Sequence, residues 1–240
     1  MTLRLTNLAA AIDSRAPKIA LYGESGTGKT TQIGAIWQLL PEGKKLLILT
    51  AEHGLRSLRE RCPDMLEDEN VLVGECHSIA DVKEGVAIAS DPNNGFAWCV
   101  VDSVTNLADR ELRARLEASP DPRQAYGGMM SATLGVLWQM VDVAHLGVVF
   151  IFQESRQEIN EGSAKRPEMV NHYAMSVPSN NLKQSMPYTF DAVLRLEMKP
   201  DGTRQIRTAK TMTIMAKDRT GKLDPMEPCD LGAIVEKILG

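Results

Sequence analysis

The octapeptide GESGTGKT, Gly23 to Thr30, sets three glycines, a lysine and a threonine at the spacing G-x-x-x-x-G-K-[ST]. This spacing suits phosphate binding. Gly23, Gly26 and Gly28 let the main chain curl until its N–H groups point at phosphate oxygens, Lys29 reaches the β- and γ-phosphates, and the Thr30 hydroxyl ligates Mg²⁺. Glu24, Ser25, Thr27 and the following Thr31 complete the expected nucleotide-contacting run. Apolar KIALY (18–22) before it reads as a buried strand and KTTQIGAIWQLL (29–40) after it as a helix, whose positive end faces the phosphates. Strand before and helix after is the context that separates a phosphate loop from a chance glycine-rich turn.

Such a loop needs a second acidic group at the end of a neighbouring strand to hold the Mg²⁺ shell. WCVVDS supplies Asp102 after an apolar run; Asp142 and Asp191 lack an equally apolar strand before them. Hydrolysis also needs a carboxylate to orient and deprotonate water. Glu52, in LLILTAEHG (46–54), follows the second predicted strand on the same sheet edge as the loop. By position alone it is either that base or a solvated glutamate at a helix start.

The elements that must position these groups alternate through the front half of the chain. Strands are predicted at KIALY (18–22), KLLILT (45–50), VLVG (71–74), FAWCVVDS (96–103) and GVVFIFQES (147–155). Helices are predicted at 29–40, 55–61, 78–89, 104–117 and 129–145, the last two split by SPDPRQAYGG (119–128). Residues 155–186 are polar with little periodicity and read as one long loop. YTFDAVLRLEM (188–198) and QIRTAKTMTIMAKDR (205–219) alternate as strands around the turn KPDG (199–202), and DLGAIVEKIL closes the chain as a helix. This order predicts an α/β fold: a mostly parallel central sheet with helices on both faces and a C-terminal antiparallel hairpin extension. One core is expected over 18–240, preceded by a short segment, 1–17, that is a candidate oligomerisation element.

Composition sets outer limits. With 240 residues, 43% apolar and 24% charged, the chain is globular, and its net charge of -4 is no global basic signal. A nucleic-acid site would need a local cluster of cations. Cys62, Cys76, Cys99 and Cys229 form no C-x-x-C pair and read as reduced thiols of a cytosol. His53, His77, His145 and His172 are scattered, which argues against zinc. No apolar run is long enough to cross a membrane.

Taken in order, these segments resemble the RecA-type recombinase core. TAEHG resembles the strand end that carries its catalytic glutamate, here Glu52, and VVDSV its Walker B segment, here Asp102. VVFIFQES resembles the strand ending in its γ-phosphate-sensing glutamine, here Gln153, and FDAVLRLE the strand beyond its second DNA loop. MAKDRTGK resembles its Lys-x-Lys/Arg pair, here Lys217 and Arg219. The match runs from about residue 18 to 222, and its compactness is most similar to the minimal single-strand annealing RecA-fold ATPases of phages. The resemblance implies ATP and Mg²⁺ as cofactors, single-stranded DNA as partner, and a homo-oligomer, filament or ring, with nucleotide at the subunit interface. It also implies a single-strand DNA-binding protein as a candidate partner and a cytoplasmic setting, that of a bacterial host if the gene is phage-borne. It departs from the bacterial enzymes in its short N-terminal segment, the lack of a C-terminal DNA-binding domain and the sequence after Gln153.

The basic residues then fall into groups. Residues 195–222 carry eight Lys/Arg against three Asp/Glu, a strip hidden by the acidic remainder. The resemblance gives Lys217 and Arg219 a γ-phosphate contact across a subunit interface; their other reading is an exposed strand face. Arg156, Lys165, Arg166 and Lys183 in the polar segment, with Arg123, are the candidate DNA contacts. His172 and Tyr173 could stack on bases or pack. Arg110, Arg113 and Arg115 flank the place of the first DNA loop, and Arg113 and Arg115 could equally be helix ion-pair partners. Met129, Met130 and Met140 read as core. The expected function is a DNA-dependent ATPase that promotes annealing or strand exchange. The alternatives are a RecA-fold helicase or motor, a P-loop small-molecule kinase, and a nucleotide-dependent assembly protein that never touches DNA.

Overall fold

A computed structural model of the protein describes residues 15–119, 121–163 and 166–240. Lys165 and residues 1–14 of the expected N-terminal segment lie outside the described residues. Ten strands form the sheet: β1 Lys18–Gly23, β2 Lys45–Thr50, β3 Val71–Glu75, β4 Phe96–Asp102, β5 Gly147–Asn160, β6 Met169–Met175, β7 Ala192–Met198, β8 Arg204–Arg207, β9 Lys217–Asp218 and β10 Met226–Pro228. Seven helices are described: α1 Gln32–Trp37, α2 Arg56–Arg61, α3 Ile79–Ser90, α4 Val104–Ala118, α5 Pro122–Asp142, α6 Asn180–Ser185 and α7 Leu231–Leu239.

The strand order is β10-β8-β7-β1-β5-β4-β2-β3, with β6 on β5 and β9 on β7. The six strands from β7 to β3 run parallel, and β8, β9 and β10 pair antiparallel, as the sequence pattern predicts. From β1 the chain goes out on one side to β2 and β3, returns through β4 and β5, and passes to the other side at β7. The carboxyl end of β1 is therefore the switch point of the sheet, where crevices form in such folds.

Alternation along β1 shows why it is buried on both faces. Ile19 and Leu21 pack with Ile33 and Ile36 of α1, Leu58 of α2, and Ile234 and Val235 of α7. Ala20 and Tyr22 pack with Val82 and Val86 of α3, Leu107 of α4, and Met129 and Met140 of α5. The methionines are core, as expected. No helix among the described residues is long and apolar enough to cross a membrane.

Three expectations about elements need correction. Residues 155–186 are not one loop: β5 continues to Asn160 and β6 returns antiparallel to it, pairing Glu154 with Met175 through Asn160 with Met169, and α6 follows. Beyond Phe152 β5 is partly or fully exposed, so no apolar alternation marked it as strand. Helix α5 starts at Pro122 and not near 129; the Asp121 carboxylate caps it by accepting from the Arg123 N–H, and Pro122 occupies the first turn, where its missing N–H costs nothing. Of the two glycines that looked like a break, Gly128 serves packing, since a Cβ there would lie 2.1 Å from Arg115 Nη1, while Gly127 faces open space. The strand expected over 205–219 is broken into β8 and β9, with bends between them.

The base of the β5–β6 hairpin is fixed by a buried ionic cluster. Arg195 of β7 donates to both carboxylate oxygens of Glu154 (2.7 and 3.2 Å) and to Glu197 (2.9 Å), lies 4.1 Å over the Tyr173 ring, and Arg207 of β8 donates to Glu197. The Arg195 and Glu154 side chains are 13% and 7% exposed, so the pair is desolvated. Arg195→Ala leaves the Glu154 carboxylate buried without its ionic partner, while Glu197 keeps Arg207 and Gln205. The expected cost is about 3–5 kcal/mol, read as a lower denaturant midpoint at neutral pH; a change under about 0.5 kcal/mol would mean that the cluster is solvent-screened.

Candidate active site

The phosphate loop leaves β1 at Gly23, which pairs with Gln153 on one side and Leu196 on the other. Each glycine has its own reason. A Cβ on Gly23 would sit 2.3 Å from the Leu196 carbonyl oxygen, while Gly26 and Gly28 hold φ of 79° and 100°, which L side chains rarely adopt. Thr27 Oγ1 donates to Glu24 O (2.8 Å) and Thr31 Oγ1 to Gly28 O (2.7 Å), fixing the curl. Lys29 Nζ donates to Gly23 O (2.8 Å) and Glu24 O (2.9 Å), so the ammonium lies inside the loop, and burial lowers its pKa. Thr30 and Glu52 line the same cleft of about 670 Å³ together with Lys29, Asp102 and Gln153.

Asp102 ends β4 at 1% exposure and accepts from Thr30 Oγ1 at 2.8 Å. Burial pushes its carboxyl from the usual range up to about 6, with Glu52 adding repulsion and the Thr30 hydroxyl and Lys29 opposing it. Glu52 is placed by Thr50, whose hydroxyl donates to Glu52 O (2.8 Å) and accepts from the Glu52 N–H (3.2 Å), bending the chain as it leaves β2. Glu52 Oε1 then accepts from Ser103 Oγ (2.5 Å), Asn106 Nδ2 (2.9 Å) and Gln153 Nε2 (3.2 Å). Three donors on one oxygen fix the carboxylate rotamer and leave the other oxygen for a water or a cation.

This donor set fits Mg²⁺ and a triphosphate. Among the described residues no group of three or more His, Cys, Asp or Glu could cage a metal, and Mg²⁺ needs no such cage: it keeps waters and takes one or two protein oxygens with substrate phosphates. Thr30 and Asp102 would supply those oxygens. Bound there, Mg²⁺ would neutralise charge on the β- and γ-phosphates; Lys29 would hold the same phosphates, and Glu52 would orient and deprotonate water.

A family model described as an AAA domain matches residues 15–220. The chain belongs to that family. It is an AAA-type P-loop ATPase domain with an α/β fold built on a mostly parallel sheet. A solved ATPase, described as "a prototypical ATPase from the type III secretion system of pathogenic bacteria", is 16% identical with a TM-score of 0.51, covering 80% of this chain and 56% of that one. The RadB recombinase structure is 22% identical with a TM-score of 0.47, covering 80% of this chain and 81% of that one. No curated protein matches the sequence.

Within this AAA domain the expected residues separate into two sets. Gly23 to Thr31, Glu52, Asp102 and Gln153 come together around one cleft. Lys217 and Arg219 lie outside it. Lys217 Nζ donates to Pro187 O (2.9 Å) and Phe190 O (2.6 Å), and Arg219 donates to Tyr188 O (2.9 Å) and pairs with Asp191 (3.5 Å). β9 joins β7 at Val193, which is level with Ala20, three residues below Gly23, so the pair sits about 10 Å down the sheet from the loop.

The expected DNA contacts also divide. Arg156 Nε donates to Asn171 (2.8 Å) across the exposed hairpin, Arg166 sits in its turn, and Lys183 Nζ donates to Ser155 (3.1 Å) at its base. The Arg123 side chain is exposed at the start of α5. Arg110 donates to Cys76 O (3.0 Å) and Ala51 O (2.8 Å), and Arg115 pairs with Glu111 four residues back. His172 bonds Glu161, and Tyr173 lies under Arg195.

Sequence reading missed Ser103, Thr105, Asn106 and Glu154. Ser103 caps α4, accepting from the Asn106 N–H, so the run DSVTN carried a signal in its Ser-x-x-Asn spacing. Thr105 had none: its hydroxyl accepts from the Gln153 N–H (3.0 Å) and donates to Ser176 O (2.7 Å), a bridge visible only in three dimensions.

The raised Asp102 pKa gives a pH test. The folded state binds this proton more tightly than the unfolded chain, so the charge costs stability above pH 6 and none below about pH 4. Asp102→Asn should therefore stabilise the nucleotide-free protein by up to about 3 kcal/mol at pH 8, with the gain vanishing toward pH 4. Melting curves at both pH values check this; an equal effect at pH 4 and pH 8 would contradict it. The same variant should lose Mg²⁺-dependent nucleotide binding.

Proposed function

We propose that this AAA-family protein is a RecA-like, DNA-dependent ATPase that binds single-stranded DNA and promotes annealing or strand exchange, of the minimal kind found in phages. In this reading it works as a homo-oligomer, filament or ring, in the cytoplasm of a bacterial host, alongside a single-strand DNA-binding protein. The reading rests chiefly on Gln153. Its amide donates to Glu52 in the cleft, and at the same residue β5 leaves the core for the projecting hairpin that carries Arg156 and Arg166. A γ-phosphate that pulls Gln153 from Glu52 would shift the root of that hairpin, and DNA on the hairpin would in turn reposition the base.

The primary measurement is ATP turnover with and without single-stranded DNA. Turnover should rise with DNA and collapse in Lys29→Ala; a rate indifferent to DNA would remove the recombinase reading. If Arg156 and Arg166 each contact a phosphate, their double alanine variant should bind more weakly, and its log–log salt dependence should flatten by about 1.4, or about 0.7 per contact. An unchanged slope would move the DNA to the 195–222 strip.

The position of Lys217 and Arg219 outside their own cleft supports action in trans. Glu52→Ala should bind ATP and hydrolyse it poorly, as should Lys217→Ala/Arg219→Ala. Equal mixing of the two in a head-to-tail assembly should restore about one complete site in four, with recovery that depends on protein concentration. No recovery in particles seen by microscopy to co-assemble would assign the pair a role within its own chain.

A further inference from the structure

One cation at the cleft, legible in the sequence only as part of the 195–222 basic strip, has a role that no expectation gave it. Arg204 opens β8, and its guanidinium reaches over the phosphate loop: Nη2 lies 3.5 Å from Gly26 O, and a Cβ on Gly28 would be 3.0 Å from Nη1. It lines the same cleft as Lys29 and Asp102. Its neighbours on the β7–β8 hairpin are neutralised, Arg195 by Glu154 and Glu197 and Arg207 by Glu197. Among the described residues Arg204 pairs with no carboxylate. The 3.5 Å contact to a carbonyl is too long to satisfy a guanidinium.

The sheet order says which part of a nucleotide this cation meets. Glu52 follows β2, Asp102 ends β4 and Gln153 lies midway along β5, all on one side of β1, and these are the residues suited to Mg²⁺ and the γ-phosphate. β8 lies on the other side of β1, beyond β7. Arg204 therefore flanks the loop opposite the hydrolytic residues, beside Gly28 and Thr31. The backbone of this loop cradles the α- and β-phosphates.

We infer that Arg204 is a nucleotide-binding residue acting within its own chain, and that it grips the nucleoside-diphosphate portion shared by ATP and ADP. A guanidinium suits that task, with several donors in a planar fork for phosphate oxygens. The division of labour follows: Arg204 retains the nucleotide whatever the state of the γ-phosphate, while Glu52 and Gln153 respond to that state. This inference rests on the nucleotide site of the P-loop and is independent of DNA binding.

Isothermal titration of the full chain with ATP and with ADP, each with Mg²⁺, tests it. Arg204→Ala should weaken both by about the same factor, near tenfold. Arg204→Lys should recover part of the affinity for both, because charge is kept and the fork is lost. Loss for ATP with ADP unchanged would overturn the inference by placing Arg204 at the γ-phosphate. Unchanged affinity for both would overturn it by leaving Arg204 a bystander. If wild type binds neither nucleotide, the P-loop site itself fails and the inference with it. If wild type binds both and Lys29→Ala does not, the site stands, and the Arg204 variants then decide the role of Arg204 alone.

Discussion

A carboxylate held out of water at the end of β4 is the constraint on which the site depends. Asp102 sits among apolar strands with one hydroxyl, that of Thr30, as its hydrogen-bond partner. A second carboxylate, Glu52, lies close enough to raise its pKa further. The cleft therefore carries a standing demand for positive charge that Lys29, turned into the loop carbonyls, meets only in part. A divalent cation brought in with phosphates would satisfy that demand, and the phosphates would draw the ammonium out of the loop. Ligand binding here is thus a rearrangement of charges already buried, with the field fixed by the fold before the ligand arrives.

The polar residues around Glu52 show how that field is kept in place. Ser103 and Asn106, from α4 and its cap, and Gln153 of β5 all bond the Glu52 side chain, while Thr50 of β2 holds its backbone. Thr105 then ties the Gln153 backbone to Ser176 beyond β6. The Glu52 carboxylate is therefore positioned jointly by the helix behind it and by the strand that leads away from the cleft. In the proposed reading, β5 carries both the γ-phosphate sensor and the exposed hairpin, and these hydrogen bonds would couple the two.

Much of this was legible in the sequence because it is local. The phosphate loop is a contiguous run whose glycines answer local dihedral and contact needs, and the parallel strands are buried on both faces, so KIALY, KLLILT and FAWCVVD announce themselves as apolar runs. What escaped is what depends on distant partners. The outer half of β5 has solvent on both sides and no apolar period, so its pairing with β6 left no mark in either segment. Gly127 and Gly128 looked like a helix break because the arginine that needs the room at Gly128 comes from the previous helix. Glu154 was an ordinary strand residue and Arg204 one cation of the basic strip until the sheet order set one beside a buried arginine and the other over the phosphate loop. The separation of Lys217 and Arg219 from the cleft was equally hidden, since register along β7 decides it.

Strand β5 has a mechanical consequence. Its residues Val148–Ile151 are clamped between β1 and β4, and from Glu154 to Asn160 it pairs with β6 alone. Those last seven residues span about 23 Å at about 3.3 Å per residue. Such a strand would act as a lever if it pivoted at the Glu154–Arg195 ion pair, with its short arm in the cleft. A tilt of about 5° at the fulcrum carries the tip through about 2 Å over that length. A change in one hydrogen bond at Gln153 would thus emerge at the turn as a displacement large enough to make or break a contact.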